Sequence, residues 1–228
     1  MLKYIVKRIL QMIPMLIILS VVVFGMVRFI PGDPVTMSLG MGAGKEAIAA
    51  ETARLGLDKP LVQQYFIWLN NILHGDLGTS ISTHKSVLYE IGRRFPVTLK
   101  LALGATVLST VVGVVFGIIS AVTHGKLADN ILMVTSLLAV STPSFFLAML
   151  LMLAFCLHFH WFAVSGFDNW RNMVLPIVTL GMQEVGYITR ITRSAMLDVL
   201  GEDYIRTSRA RGVSEFVVVC SHAFKNAI

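Results

Sequence analysis

The chain has 228 residues, of which 55% are hydrophobic and only 14% are charged, and its formal net charge is +6. Its mean hydropathy of +0.75 lies outside the usual balance of a soluble domain, so the composition predicts a membrane protein. The positive charge does not indicate nucleic-acid binding, because the arginines cluster beside apolar segments without interleaved aromatic residues. We therefore expect no nucleic-acid partner.

Four apolar segments predict four transmembrane helices. They cover residues 9–27, 101–122, 131–157 and 173–188. A helix that spans a bilayer needs about 20 apolar residues, which these segments provide or approach. The first segment follows Lys3, Lys7 and Arg8 and ends without a small-residue cleavage site, so we interpret it as a retained anchor and not as a signal peptide.

Positive charge indicates the orientation of these helices. A cytoplasmic N-terminus places Lys3, Lys126, Arg190 and Arg193 on the same, inner side of the membrane, as the positive-inside bias requires. The predicted organisation, in chain order, is a cytoplasmic N-terminus (1–8), a first transmembrane helix (9–30), an extracytoplasmic segment (31–98), transmembrane helices two to four (99–200) and a cytoplasmic element (201–228).

Two motifs that could indicate enzyme chemistry are incomplete. Gly40–Lys45 is similar to a phosphate-binding loop, but Leu39 stands at the first glycine position and Glu46 replaces Ser or Thr, so a flexible turn is expected. His158 and His160 are two residues apart and have no carboxylate or cysteine beside them, so we predict no metal site and no cofactor. A membrane-embedded hydrolase using Glu184 or these histidines is the alternative of another class.

Two features of the apolar segments leave alternatives open. Gly113 and Gly117 form a small-residue face that favours close helix packing, either within the chain or at a subunit interface. Ser141, Thr142 and Pro143 interrupt the third segment, because proline removes a backbone donor and bends a helix. Ser141 and Pro143 are therefore candidates to line a pathway, with a simple packing kink as the alternative.

Glu184 lies inside the fourth apolar segment. A carboxylate within a membrane is costly unless it is paired or hydrated, so it predicts a functional site by default. We expect Glu184 either to face a pathway or to be paired with Arg190 or an adjacent subunit.

The C-terminal segment combines short helical stretches with charge. Residues 202–211 and 214–226 are separated by Gly212, and the second stretch carries an apolar set among polar residues. This set consists of Phe216, Val217, Val219, Cys220, Ala223 and Phe224. The pattern predicts a helix-turn-helix whose apolar ridge docks into the groove of a partner, while a tail that binds anionic lipid through its arginines is the alternative.

Ordered motifs along the whole chain resemble the permease subunits of ABC importers of the dipeptide, oligopeptide and nickel group. The motifs are Ile30–Pro34, Leu55–Pro60, His74–Gly78, Arg94–Leu99, Ser141–Pro143, Leu175–Pro176, Arg190–Ser194, Tyr204–Gly212 and His222–Ala227. At Glu184 this chain departs from the family, whose members mostly carry an apolar or small residue there. The chain also ends just after the loop that these permeases continue into further spans, so a C-terminal truncation is expected.

The resemblance implies an all-α membrane protein of the bacterial inner membrane, a transporter subunit and not an enzyme. It implies a permease for dipeptides or oligopeptides, with nickel or a metal chelate as the alternative substrate. The implied partners are ABC ATPase subunits, a second permease in a heterodimer, an extracytoplasmic substrate-binding protein and membrane lipid. The residues implied in ATPase coupling are Tyr204, Arg206, Thr207, Arg209, Ala210, Arg211, Gly212, His222 and Asn226.

Overall fold

The computed structural model describes residues 2–29, 34–40, 42–80, 82–167 and 169–227, and its regular structure there is helical apart from an isolated bridge between Thr79 and Ser86. The chain divides into two units, Met1–Arg94 and Phe95–Ile228. In chain order the helices are α1 (Leu2–Phe29), α2 (Pro34–Leu39), α3 (Lys45–Arg54), α4 (Leu61–Leu73), α5 (Val87–Val122), α6 (Leu127–Ser141), α7 (Ser144–Leu151), α8 (Arg171–Leu200), α9 (Asp203–Ala210), α10 (Glu215–Val217) and α11 (Phe224–Ala227). Two π-helical segments, Met152–His158 and Val218–Ala223, follow α7 and α10.

Two of the described helices are long and apolar enough to cross a membrane, Lys3–Phe29 and Val87–Val122. A third candidate is the pair Leu127–Ser141 and Ser144–His158, whose halves are bent by 105°. These candidates correspond to the first three predicted segments. The bend confirms that the third segment is interrupted, because Pro143 cannot donate the backbone hydrogen bond that would continue α6.

The fourth predicted segment, residues 173–188, is helical and forms part of α8. Helix α8 is not among the described helices that are both long and apolar enough to cross a membrane. It is long enough, but Gln183 and Glu184 lower the mean hydropathy of its apolar part. Its membrane crossing, the orientation of the chain and the domain limits given above therefore stay predictions.

The second spanning helix begins earlier than the sequence indicates. Helix α5 starts at Val87, within the predicted extracytoplasmic segment, and continues through Pro96. Arg94 Nε donates a hydrogen bond to Glu90 Oε2 at 3.0 Å, one turn away, and this ion pair supports the charged first turns of the helix.

In the first unit, aromatic side chains join α1 to α4. Phe24 contacts Tyr65 edge-on with ring centroids 5.5 Å apart, and it also contacts Trp68. The hydroxyl groups of Ser20 and Tyr65 are hydrogen-bonded at 2.8 Å. The Ile30–Asp33 part of the first family motif lies outside the described residues.

In the second unit, glycines bring α8 against α5 and α6. A Cβ added at Gly113 would lie 2.8 Å from Cβ of Ile188, and one added at Gly186 would lie 2.5 Å from the carbonyl oxygen of Ser136. The small-residue face of α5 is thus used for packing within the chain, which decides between the two alternatives given above for Gly113 and Gly117.

Candidate functional site

Helix α9 carries most of the residues expected to couple to an ATPase, and a single apolar side chain anchors it. Ile205 is fully buried. The other side chains named for this helix are exposed: Tyr204, Arg206, Thr207, Arg209 and Ala210. Helix α9 therefore presents a polar and basic surface while its inner side is fixed to the unit.

The turn after α9 depends on Gly212. Its φ of +76° lies in the left-handed region, which favours glycine. The Gly212 amide donates to the Arg209 carbonyl at 3.0 Å, and the Val213 amide donates to the Ser208 carbonyl at 3.3 Å. These bonds satisfy carbonyl groups at the end of α9 and reverse the chain toward α10.

An ion pair bridges this turn. Arg209 Nε and Nη2 donate to the two carboxylate oxygens of Glu215 at 3.1 and 2.6 Å. The hydrogen bonds from Arg209 hold the pKa of the Glu215 carboxyl below its ordinary value, and the same bonds raise the pKa of Arg209. Both side chains are partly exposed, so the pair orients the turn more than it stabilises the fold.

Two further polar contacts join α9 to the helix that follows the turn. The hydroxyl of Ser208 and Nδ1 of His222 are 3.2 Å apart, and Asn226 Nδ2 donates to the Tyr204 hydroxyl at 3.1 Å. Asn226 also donates to the His222 carbonyl at 2.8 Å. Four residues separated by up to 22 positions therefore hold the two arms of the helix-turn-helix together. Here the term coupling element denotes residues 203–227.

The prediction of an exposed apolar ridge is wrong in part, because some of its side chains are buried within the chain. Val219 and Ala223 are buried, and with Ala121, Met196, Ile205 and Val218 they form one hydrophobic cluster, against which Phe224 also packs. A helical face this close to the ends of α5 and α8 gains more by covering their apolar side chains than by remaining exposed.

The exposed remainder of the ridge is small and specific. Phe216 is 77% exposed and Val217 is 40% exposed, and both lie in α10 directly after the turn. Cys220 is exposed as well. Phe216 thus lies on the surface between Glu215, which pairs with Arg209, and the buried Val218 two residues later.

The pathway candidates lie where α6 and α7 meet α8. Ser141 and Pro143 are exposed at the break, and the Gln183 side-chain amide of α8 donates to the Thr142 carbonyl at 3.0 Å. Gln183 satisfies a carbonyl group that the proline break leaves without its helical partner. This role of Gln183 has no signal in the local sequence, because the contact joins positions 41 residues apart.

Glu184, the next residue, is exposed, and among the described residues it makes no ion pair with Arg190. Of the alternatives given above, pairing with Arg190 within the chain is thus not seen among the described residues. Arg190 Nε is buried and has no hydrogen-bond partner among the described residues. Glu184 is exposed in the single chain, so pathway and subunit interface remain as the two alternatives for it.

The structure also contains a buried ionic network that the sequence analysis misses. Asp129 lies in the first turn of α6, and its side chain accepts hydrogen bonds from Arg193 of α8. In the sequence, Asp129 follows Lys126 by three residues and precedes an apolar segment, a pattern that is also typical of a solvated loop. The Gly125 amide, four residues earlier, also donates to this carboxylate at 3.0 Å.

The two histidines near the end of the third span contact each other through the backbone of His158. His160 adopts a φ of +56°, and its Nδ1 lies 3.1 Å from the His158 carbonyl oxygen. Over the part of the chain that the structure describes, no group of three His, Cys, Asp or Glu side chains could hold a metal ion.

Comparison with known proteins identifies the family. Residues 113–228 match the family described as binding-protein-dependent transport system inner membrane component. Residues 1–102 match the family described as the N-terminal part of the membrane component of these systems. The glutathione transport system permease protein GsiC of Escherichia coli O6:H1 is 40% identical over 100% of this chain, and GsiC of Salmonella typhi is equally similar. A Brucella abortus (strain 2308) protein assigned by name as a peptide transport system permease is 39% identical over 98% of the chain. In each case the match spans 74% of the relative.

The chain therefore belongs to the family of inner membrane components of binding-protein-dependent transport systems, which are the permeases of ABC importers. It is a multi-pass helical subunit of the inner membrane and a component of transport, not an enzyme. The family resemblance inferred from the ordered motifs is confirmed. Systems of this kind include an ABC ATPase and a substrate-binding protein.

Proposed function

We propose that this chain is a permease subunit of an ABC importer of dipeptides and oligopeptides, and that residues 204–226 transmit ATPase movements to the substrate pathway. Relatives named for peptide and glutathione transport support the substrate class, because glutathione is itself a small peptide. None of the three relatives named above carries a name referring to nickel.

The observation that carries the coupling role is the exposure of Phe216 on an otherwise anchored element. An aromatic side chain on a rigid support loses little conformational freedom when it enters a pocket, which makes it an effective anchor at a protein interface. The basic residues Arg206, Arg209 and Arg211 are exposed on the same element and suit an acidic rim on the ATPase.

The remaining partners follow from the same proposal. A second, non-identical permease would complete the pathway, with an extracytoplasmic binding protein delivering the peptide. Most apolar side chains of α1 are exposed in the single chain, which suits contact with lipid or with that second permease.

Photo-crosslinking in the assembled transporter tests the coupling role. A benzophenone amino acid placed at Phe216 should crosslink to the ATPase in membranes, because this side chain is 77% exposed on the coupling element. Leu73, with 76% exposure at the end of α4, is the matched control and should not crosslink to it. An ATPase adduct at both positions, or at neither, contradicts the assignment.

Cysteine labelling tests the proposed orientation with a cytoplasmic N-terminus. In a chain whose Cys156 and Cys220 are replaced by serine, a cysteine at Ser80 should react with an impermeant maleimide in intact cells. A cysteine at Lys126 should react only after the cells are permeabilised. The reversed pattern would show the opposite orientation.

Uptake into proteoliposomes tests the substrate class. The complete transporter with its binding protein should accumulate a labelled dipeptide or glutathione when ATP is enclosed, and labelled Ni²⁺ should not accumulate. Accumulation of nickel alone would favour the alternative substrate.

A further inference from the structure

The Asp129 carboxylate is the centre of the buried network between α5, α6 and α8. The residue is 2% exposed and lies in the first turn of α6. Arg193 Nε donates to Oδ1 at 2.7 Å and Arg193 Nη2 donates to Oδ2 at 2.8 Å. Ser120 Oγ donates to Oδ1, and the Gly125 amide donates to Oδ2 at 3.0 Å.

Four donors thus occupy the acceptor sites of this carboxylate. His124 completes the arrangement, because its Nδ1 lies 2.8 Å from Arg193 Nη2 and 3.2 Å from Asp129 Oδ2. Arg193 Nη2 contacts both Asp129 and His124, so the arginine is held from two sides.

Two of the partners of Asp129, Ser120 and Arg193, stand near residues that anchor the coupling element. Ser120 precedes Ala121, and Arg193 lies three residues before Met196 on the same side of α8. Ala121 and Met196 are buried in the cluster with Ile205, Val218, Val219 and Ala223 of the coupling element. The apolar cluster therefore fixes the coupling element to the ends of α5 and α8, and Asp129 adds the start of α6 to the same assembly.

Helix α6 leads directly to the break at Thr142–Pro143. We propose that Asp129 is a positioning residue for transport: its bonds to Ser120 and Arg193 make α6, and hence the broken helix, move together with the coupling element. This inference rests on the proposed coupling role of residues 204–226. A fully hydrogen-bonded buried ion pair suits this task, since it permits one arrangement of three helix ends and resists sliding between them.

A positioning role and a purely structural role predict different defects. If the network only stabilises the fold, then removing it lowers the amount of transporter, while each assembled complex still transports the same amount of peptide per ATP. If the network transmits movement, then assembled complexes hydrolyse ATP without the matching movement of α6, and the amount of peptide transported per ATP falls.

The test uses the complete transporter in proteoliposomes, with uptake of labelled dipeptide and release of phosphate measured together. Asp129→Asn should retain ATP hydrolysis and lower the ratio of peptide to ATP by about fivefold or more, the low end of typical coupling between sites. Glu51→Gln removes an exposed ion pair to Arg54 in the other unit and is the matched control, with the wild-type ratio expected. A wild-type ratio in assembled Asp129→Asn transporter overturns the proposal.

The double variant Asp129→Asn with Arg193→Gln covers the case in which the single variant does not assemble, because it leaves no unpaired buried charge. It should assemble and show the same low ratio. Assembly with a wild-type ratio overturns the proposal, and so does failure of the double variant to assemble, because the network would then be a requirement of folding. Failure of the proposed function itself would appear differently, as a wild-type chain that does not co-purify with an ATPase.

Discussion

Gly117 of α5 lies against Thr192 of α8 so closely that a Cβ added to the glycine would be 2.5 Å from the threonine Cβ. The same added atom would lie 2.9 Å from the carbonyl oxygen of Thr189. Neither contact can be relieved by a side-chain rotation, because one involves a Cβ and the other involves backbone. The contact fixes the distance between two helices whose ends carry the coupling element.

We expect Gly117→Ala to destabilise the chain by about 1–3 kcal/mol, because the methyl group forces α5 and α8 apart. Gly92→Ala is the matched control in the same helix, since a Cβ at Gly92 meets no atom within 4 Å. That control should be neutral or stabilising by up to about 1 kcal/mol through helix propensity. The thermal unfolding midpoint in detergent checks both, and a midpoint of Gly117→Ala at or above the wild-type value contradicts the packing described here.

The turn at Gly212 gives a second prediction. We expect Gly212→Pro to insert into the membrane normally and to lose ATPase association, because proline requires a φ near −65° where the turn has +76°. Proline would also remove the hydrogen bond from this amide to the Arg209 carbonyl. Gly212→Asn is the milder variant, since asparagine tolerates the left-handed region, and it should retain most of the association.

Co-purification of the ATPase with the tagged permease measures the effect of both Gly212 variants. Equal recovery with wild type, Gly212→Pro and Gly212→Asn would separate the coupling element from ATPase binding.

The Arg209–Glu215 pair gives a prediction about pH. The pKa of Glu215 is lower in the folded chain than its ordinary value, so the pair contributes stability above that ordinary value and loses it as the pH falls through the lowered pKa. Because both groups are partly exposed, the contribution is at most about 1 kcal/mol.

Glu215→Gln should therefore unfold at a slightly lower temperature than wild type at neutral pH, and this difference should vanish in acid. Asp58→Asn, at an exposed carboxylate of the other unit, serves as the control and should show no difference at neutral pH. A difference for Glu215→Gln that grows as the pH falls would refute the pairing.

Local patterns in the sequence predict the helices of this chain well, and long-range polar contacts account for what they miss. The first three spans, the break at Pro143 and the turn at Gly212 each depend on composition or on one residue with restricted backbone geometry. The Asp129–Arg193 pair joins residues 64 positions apart, and no spacing rule connects them. The burial of Val219 and Ala223 likewise depends on α5 and α8, which a helical pattern within the coupling element cannot indicate.

Glu184 carries the last prediction, which concerns the substrate pathway. Its carboxylate is exposed on α8, next to Gln183 at the helix break, and a charge at this depth requires water or a positive partner. If it faces the pathway and meets cationic groups of the peptide, Glu184→Gln should lower uptake of a lysine-containing dipeptide several-fold, with uptake of a neutral dipeptide, assembly and basal ATP hydrolysis unchanged. Asp198→Asn, at an exposed carboxylate farther along α8, is the matched control and should leave both substrates unaffected. Equal uptake of both peptides by Glu184→Gln would argue against the pathway role, and poor recovery of the assembled complex would instead place Glu184 at a subunit interface.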